Sequence, residues 1–289
     1  MSDDFARVTA VEKTADGQYE GFVGTGWDIA GVPNGGYLLA IAGRAMAESI
    51  GRPPLAVTAH YLAPAHTGPC SVLVESVRVG RRTATLMARF EQDGRESFRV
   101  LGTFGESSGT DAVLVSGRPP ELPPYENCVA VPSSSPPWPA LYDRLAVRWR
   151  PGDEGFMHGH PTGRAEVAGW FAFSDGAATR FPANVAGSRP YETGGSDKSP
   201  SAARVDPIGL LLVADAFAPP VFNIGIGPGW VPTLELTVHI RAVPAPGPLR
   251  CAFRTQFVQG GLLSEDGEIW DGAGVLVAQS RQLALTPRM

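Results

Sequence analysis

Asp215 is the residue of this 289-residue chain that most demands a chemical explanation. It interrupts the run Leu210-Leu-Leu-Val-Ala-Asp-Ala-Phe-Ala218, which is otherwise apolar and reads as a helix. Burying a carboxylate costs several kcal/mol unless it is paired or hydrogen-bonded. An acid in such a setting is a candidate for proton transfer or for holding a water. The plain alternative is a helix-flank Asp that reaches solvent or caps a neighbouring segment. Asn34-Gly35-Gly36 comes next, immediately before the apolar run that starts at Tyr37. Asn can N-cap a helix, and the two glycines let a ligand approach bare backbone. Free N–H groups in a first helical turn suit a polarised carbonyl oxygen. Gln282 lies in the strand-like run Val275 to Leu285, on the face that alternation gives to Ala278 and Ser280. Thr233 and Thr237 lie in Thr-Leu-Glu-Leu-Thr, where β propensity alone accounts for threonine.

Other apparent motifs carry less. Gly105-Glu-Ser-Ser-Gly109 matches a nucleophile-elbow pattern but leads into a Pro-rich stretch rather than a helix. Gly225-Ile-Gly-Pro-Gly229 contains a proline and lacks a following helix, so it is not a dinucleotide fingerprint. His158-Gly-His160 has no third ligand nearby and reads as loop. Cys70, Cys128 and Cys251 show no metal spacing and no pairing logic, which fits reduced, buried thiols.

The elements that must position these residues occur twice in the same order. Strands are expected near 5–11 and 19–23, then a helix from Tyr37 to Met46, then strands at 55–62, 70–80, 83–92 and 96–104. The second set is strands near 144–150 and 165–173, a helix at 206–218, then strands at 233–241, 249–259, 267–270 and 275–286. His60 to Pro69 lies over His239 to Pro248, which puts Thr58 on Thr237 and Gly36 opposite Asp215. The Asp93-Gly94 hairpin signal answers Asp271-Gly272. A repeat this long means duplicated domains. The divisions expected are a first unit at 1–106, a Pro/Ser-rich linker at 107–140 and a second unit at 141–289. A further loop is expected at 186–201. A helix apolar nearly all round must be enclosed, and an antiparallel sheet curling around it is the simplest enclosure.

Composition narrows the function classes. The chain is 43% hydrophobic and 18% charged, with a net charge of −5 and no basic block, so no nucleic-acid surface is expected. The run from Ile208 to Trp230 holds Asp215, Pro219 and Pro220, a poor membrane span. The acidic start is unlike a secretory signal, and with the reduced thiols this points to the cytoplasm.

Trp27-Asp-Ile-Ala-Gly-Val-Pro-Asn-Gly-Gly-Tyr37, the helix after it and Ala56-Val-Thr-Ala-His-Tyr-Leu resemble the acyl-CoA thioesterase II group. Ala214-Asp215, Thr233-Leu-Glu-Leu-Thr237 and Gly274 to Gln282 extend the resemblance to the second half. The fold it implies is α+β, a double hot-dog of two tandem units, each a long helix wrapped by a curved antiparallel sheet. The activity it implies is hydrolysis of acyl-CoA to free acid and CoA. Asp215, Thr233 and Gln282 would hold the attacking water, and Thr237 becomes the alternative if the strand slides by four residues. Asn34, Gly35, Gly36 and Tyr37, with Thr237, would form the substrate-binding set, and the helix N–H groups would stabilise the oxyanion. No metal or organic cofactor is called for, and edge pairing gives such chains a route to a homodimer. Two other activities compete. A hot-dog enoyl-CoA hydratase would need His60 or His239 beside an acid, and a non-catalytic binder would hold acyl-CoA without turnover.

Overall fold

The computed structural model describes residues 3–107, 114–131, 139–174 and 204–287. The loop expected at 186–201 and the last two residues of the Gly105–Gly109 pattern lie outside them. The chain opens with helix α1 (Asp3–Val8) and then β1 (Val11–Ala15), β2 (Gln18–Val23) and the short pair β3 (Asp28–Ile29) and β4 (Val32–Pro33). Helix α2 (Gly35–Ile50) follows, then β5 (Pro54–Tyr61), β6 (Gly68–Val79), β7 (Thr83–Gln92) and β8 (Arg95–Gly105). The second half holds β9 (Val129–Ala130), β10 (Arg148–Trp149), β11 (Glu166–Phe171), helix α3 (Gly209–Val213), β12 (Thr233–Ile240), β13 (Leu249–Gln259), β14 (Leu262–Trp270) and β15 (Leu276–Leu285).

Thirteen of these strands form one sheet in the order β1-β2-β6-β7-β8-β5-β12-β15-β14-β13-β11-β10-β9. The two halves join where β5 pairs antiparallel with β12, in a register that places Thr58 opposite Thr237 and Val57 opposite Val238. The two threonines aligned by the sequence repeat are therefore direct partners, with their hydroxyls 2.8 Å apart. Outward from this seam the strand order repeats: β8, β7, β6, β2 on one side and β15, β14, β13, β11 on the other.

Helix α2 matches its expectation. Asn34 sits at its N-cap and accepts from the Tyr37 amide at 2.9 Å, and Gly51 closes it in the left-handed conformation at φ 65°. Every residue from Gly36 to Gly43 is buried, so the helix is enclosed on all sides as its composition requires.

Three expectations fail for physical reasons. The strand expected at 5–11 is helix over Asp3–Val8, because Phe5 and Val8, one helical turn apart, both enter the core, and the Thr9 hydroxyl bonds back to the Phe5 carbonyl. The strand expected at 144–150 reduces to the two residues of β10. The long second helix expected at 206–218 is five residues. Its end tightens as the Asp215 amide bonds the Leu212 carbonyl at 3.0 Å, and Pro219 and Pro220 prevent continuation. The stretch expected as linker also contributes β9, which pairs with β10.

α2 and α3 cross at glycines. A Cβ on Gly36 would meet the Leu211 carbonyl oxygen at 2.7 Å and the Asp215 Cβ at 2.8 Å, and one on Gly43 would meet Leu211 Cδ1 at 2.7 Å. Seven residues apart, the two glycines mark one face of α2 and allow the backbones of the two halves to touch.

Candidate active site

Asp215 lies two residues beyond the end of α3 and turns its carboxylate onto the start of α2. Its Oδ2 accepts from the Gly36 amide at 2.8 Å and from Asn34 Nδ2 at 3.0 Å, while Asn34 Nδ2 also donates to the Asp215 carbonyl at 2.7 Å. The residues that the repeat sets opposite each other, Gly36 and Asp215, are thus in contact. Burial pushes the Asp215 carboxyl up to about 6, against the opposing pull of the Gly36, Asn34 and Gly35 donors. Desolvation outweighs the hydrogen bonds because the group is packed among protein atoms and half-buried at the wall of a cavity.

That cavity has a volume of about 850 Å³. Asn34, Gly35, Tyr61, Asp215, Thr233 and Gln282 bring polar groups to its wall, and Leu38, Trp149, Phe156, Phe217, Phe222 and Trp230 supply apolar surface. Thr233 reaches it through a bulge. Alternation along β12 would put Thr233 on the outer face with Glu235 and Thr237, but the register with β15 shifts between Thr233 and Glu235. Thr233 then pairs with Ala284, on the core side of the sheet, and accepts from Gln282 Nε2 at 2.6 Å. Gln282 is 7% exposed, on the buried side that alternation assigns it.

Three sequence-derived candidates fall elsewhere. Thr237 faces the opposite side of the sheet, bonded to Thr58 and to the Glu235 carboxylate. Tyr37 is wholly buried away from the cavity wall, stacked on Trp27, and its hydroxyl donates to the Val8 carbonyl and accepts from the Gly24 amide. Gly36 lies behind Asp215, and its amide is engaged there. The first-turn N–H groups expected to be free for an oxyanion are taken: Gly36 bonds Asp215, Tyr37 bonds Asn34 Oδ1 and Leu38 bonds the Asn34 carbonyl. The positive end of α2 therefore stabilises the Asp215 carboxylate instead.

Tyr61 is a site residue that the motif reading passed over as a fold marker. Its hydroxyl donates to the Gly35 carbonyl at 2.8 Å, and burial, then the charges of Asp215 and Glu235, push it well above the usual phenol range. It stays a proton donor at the cavity wall. His60 and His239 are exposed and stand on the outer face with Thr58 and Thr237.

A model of the acyl-CoA thioesterase N-terminal domain matches residues 24–105, and one of the C-terminal domain matches residues 196–286. The chain belongs to the acyl-CoA thioesterase family. A candidate thioesterase II from Thermobifida fusca shares 26% identity and superposes with a TM-score of 0.82, over 98% of this chain and 97% of that one. A protein of unknown function from Alicyclobacillus acidocaldarius, described as having a hot-dog fold, superposes with a TM-score of 0.76 at 22% identity, with both chains covered completely. An uncharacterized protein of Mycobacterium tuberculosis is 26% identical over 287 residues, covering 93% of this chain and 91% of that protein. As an acyl-CoA thioesterase family member with a hot-dog fold, the chain has a mostly antiparallel sheet, and among the described residues helices are few and α2 alone is long. Among the described residues no helix is long and apolar enough to cross a membrane.

The burial of Tyr37 gives a direct prediction. Tyr37→Phe removes two buried hydrogen bonds and should cost about 1–3 kcal/mol of stability, read by urea denaturation. It should leave kcat/KM for a thioester within about twofold of wild type, because the hydroxyl faces α1 and β2 rather than the cavity.

Proposed function

We propose that this chain is a double hot-dog acyl-CoA thioesterase, with units at 1–106 and 141–289, that hydrolyses an acyl-CoA with water activated by Asp215. The observation that carries this reading is that Asp215, Thr233 and Gln282 all line one largely apolar cavity. The acyl group occupies the apolar part of the cavity, and its thioester carbonyl lies against these polar residues. The hydrogen bonds from Asn34 and Gly36 both fall on Oδ2 of Asp215, and in this reading Oδ1 is the oxygen that holds the water. A carboxyl poised near pH 6 is ionised at neutral pH and still basic enough to take a proton from that water as it attacks the carbonyl carbon. Gln282 anchors Thr233, whose hydroxyl proton is free to point at the water. Thioester carbonyls are electrophilic enough that a carboxylate-activated water suffices without a covalent nucleophile. The tetrahedral oxyanion collapses to the free acid, the C–S bond breaks, and CoA departs as a thiolate that takes up the proton held by Asp215, which returns the carboxylate to its ionised form.

The exposed positions of His60 and His239 speak against a hydratase, which needs an imidazole beside the acid. The test is thiol release from a panel of acyl-CoAs of increasing chain length. Turnover of at least one is expected, and release from none of them would overturn the reading.

A further inference from the structure

A second buried acid stands beside the proposed water-holding group. Across the second half of the sheet, Leu236, Gln282 and Glu265 are in-register partners on β12, β15 and β14 and form one row on the core side. The corresponding row of the first half, on β5, β8 and β7, is Val57, Gly102 and Leu86. Gly102 has its space filled by Phe104, Val57 and Met46, and Leu86 is wholly buried. The same fold position therefore accepts leucine in the half that lacks Asp215, Thr233 and Gln282 and carries a carboxyl in the half that has them. Glu265 is only 7% exposed, and the same face of β14 carries Leu263, Gly267 and Ile269, all buried. An acid in such a row is costly compared with leucine unless it serves a polar neighbour.

The polar neighbour is Gln282. Its Nε2 donates to Thr233 at 2.6 Å, which fixes which way the amide faces and leaves its carbonyl oxygen able to accept from a donor on the next strand. Directly opposed residues of paired strands have Cβ atoms roughly 5 Å apart, within reach of a Glu and a Gln. Only the protonated acid can donate. Burial, and then the nearby charges of Asp215 and Asp266, push the Glu265 carboxyl well above the usual range, toward that form.

We propose that Glu265 is a positioning residue: a neutral carboxylic acid that donates to the Gln282 side-chain carbonyl, directly or through one water, and so holds the amide N–H on Thr233. The role rests on the thioesterase reading of the site. It predicts an ordered set of variants. Glu265→Leu copies the first half and should fold at least as stably as wild type, with kcat lowered about tenfold to a hundredfold and KM within about twofold. Glu265→Gln keeps a donor and should retain kcat within about threefold. Independently of turnover, the Gln282 side-chain amide protons, assigned in labelled protein by their loss in Gln282→Ala, should exchange with solvent at least tenfold faster in Glu265→Leu than in wild type or Glu265→Gln. A folded Glu265→Leu with wild-type exchange at Gln282 would overturn the proposal, as would equal kcat losses in the Leu and Gln variants. Absence of thioester turnover in the wild type would instead overturn the functional reading, and the exchange measurement would still decide the role of Glu265.

Discussion

Asp215→Asn is expected to lower kcat for thioester hydrolysis by about 10²- to 10⁴-fold, the range of a lost general base. The amide is nearly isosteric, and its oxygen can still accept from the Gly36 amide, so the junction of α2 and α3 should survive. Loss of activity should therefore come with a folded protein and with KM changed far less than kcat. The same substitution should raise stability at neutral pH. The folded-state value of about 6 lies above the ordinary carboxylate value of 3.8, so the fold favours the protonated form. The stability this group contributes is complete below about pH 4 and is lost as pH rises through 6. Asn does not titrate, so the variant should gain on the wild type between pH 4 and 7. After screening by solvent in the cavity, the gain at pH 7.5 should be on the order of 1–2 kcal/mol. Thermal melts of both proteins at pH 4.5 and 7.5 check the sign. A variant that loses ground as pH rises would contradict it.

Gly36→Ala is expected to be the most damaging change of a single methyl group in the site. Its Cβ would meet backbone of the other half, the Leu211 carbonyl oxygen at 2.7 Å and Leu212 Cα at 3.1 Å, together with the Asp215 Cβ at 2.8 Å. None of these is the far end of a flexible side chain, so α2 and α3 must separate. Overpacking of this kind costs about 3 kcal/mol, which should lower the melting temperature by roughly 5–10 °C. It also pulls the Gly36 amide from Asp215, and kcat should fall at least about tenfold even at temperatures where the protein remains folded. Gly51→Ala is a useful comparison: that glycine, unlike Gly36, has a positive φ of 65°, but a Cβ there meets nothing within 4 Å, so the loss should be confined to stability.

How far the sequence could be read depended on whether the deciding interaction was local. α2 was legible because Asn34, an apolar run and Gly51 are all within one segment. The contact between Gly36 and Asp215 was legible because the repeat aligned them, and the seam between β5 and β12 makes aligned residues neighbours. The choice between Thr233 and Thr237 was not legible, since a bulge in the pairing of β12 with β15 turns Thr233 inward and no residue type announces it. The length of α3 was overestimated because apolar periodicity continues past Val213, whereas the chain is turned by where the Asp215 carboxylate must go. The N–H groups of the first turn of α2 look free in a sequence and are occupied in the fold. Glu265 was missed because the strand is expected only at 267–270, whereas β14 begins at Leu262. Carrying the repeat through to Leu86 would have exposed an acid at a core position.

The account's central claim is that one buried carboxylate at the junction of the two halves activates the water. It is tested most directly by the pH dependence of kcat/KM, measured from pH 4.5 to 8.5 on the best substrate of the acyl-CoA panel. The prediction is a rise to a plateau through a single acidic limb near pH 6, the value to which burial lifts Asp215, with that limb absent from the residual rate of Asp215→Asn. A wild-type profile that is flat across this range, or a limb near pH 6 that persists in Asp215→Asn, would contradict it.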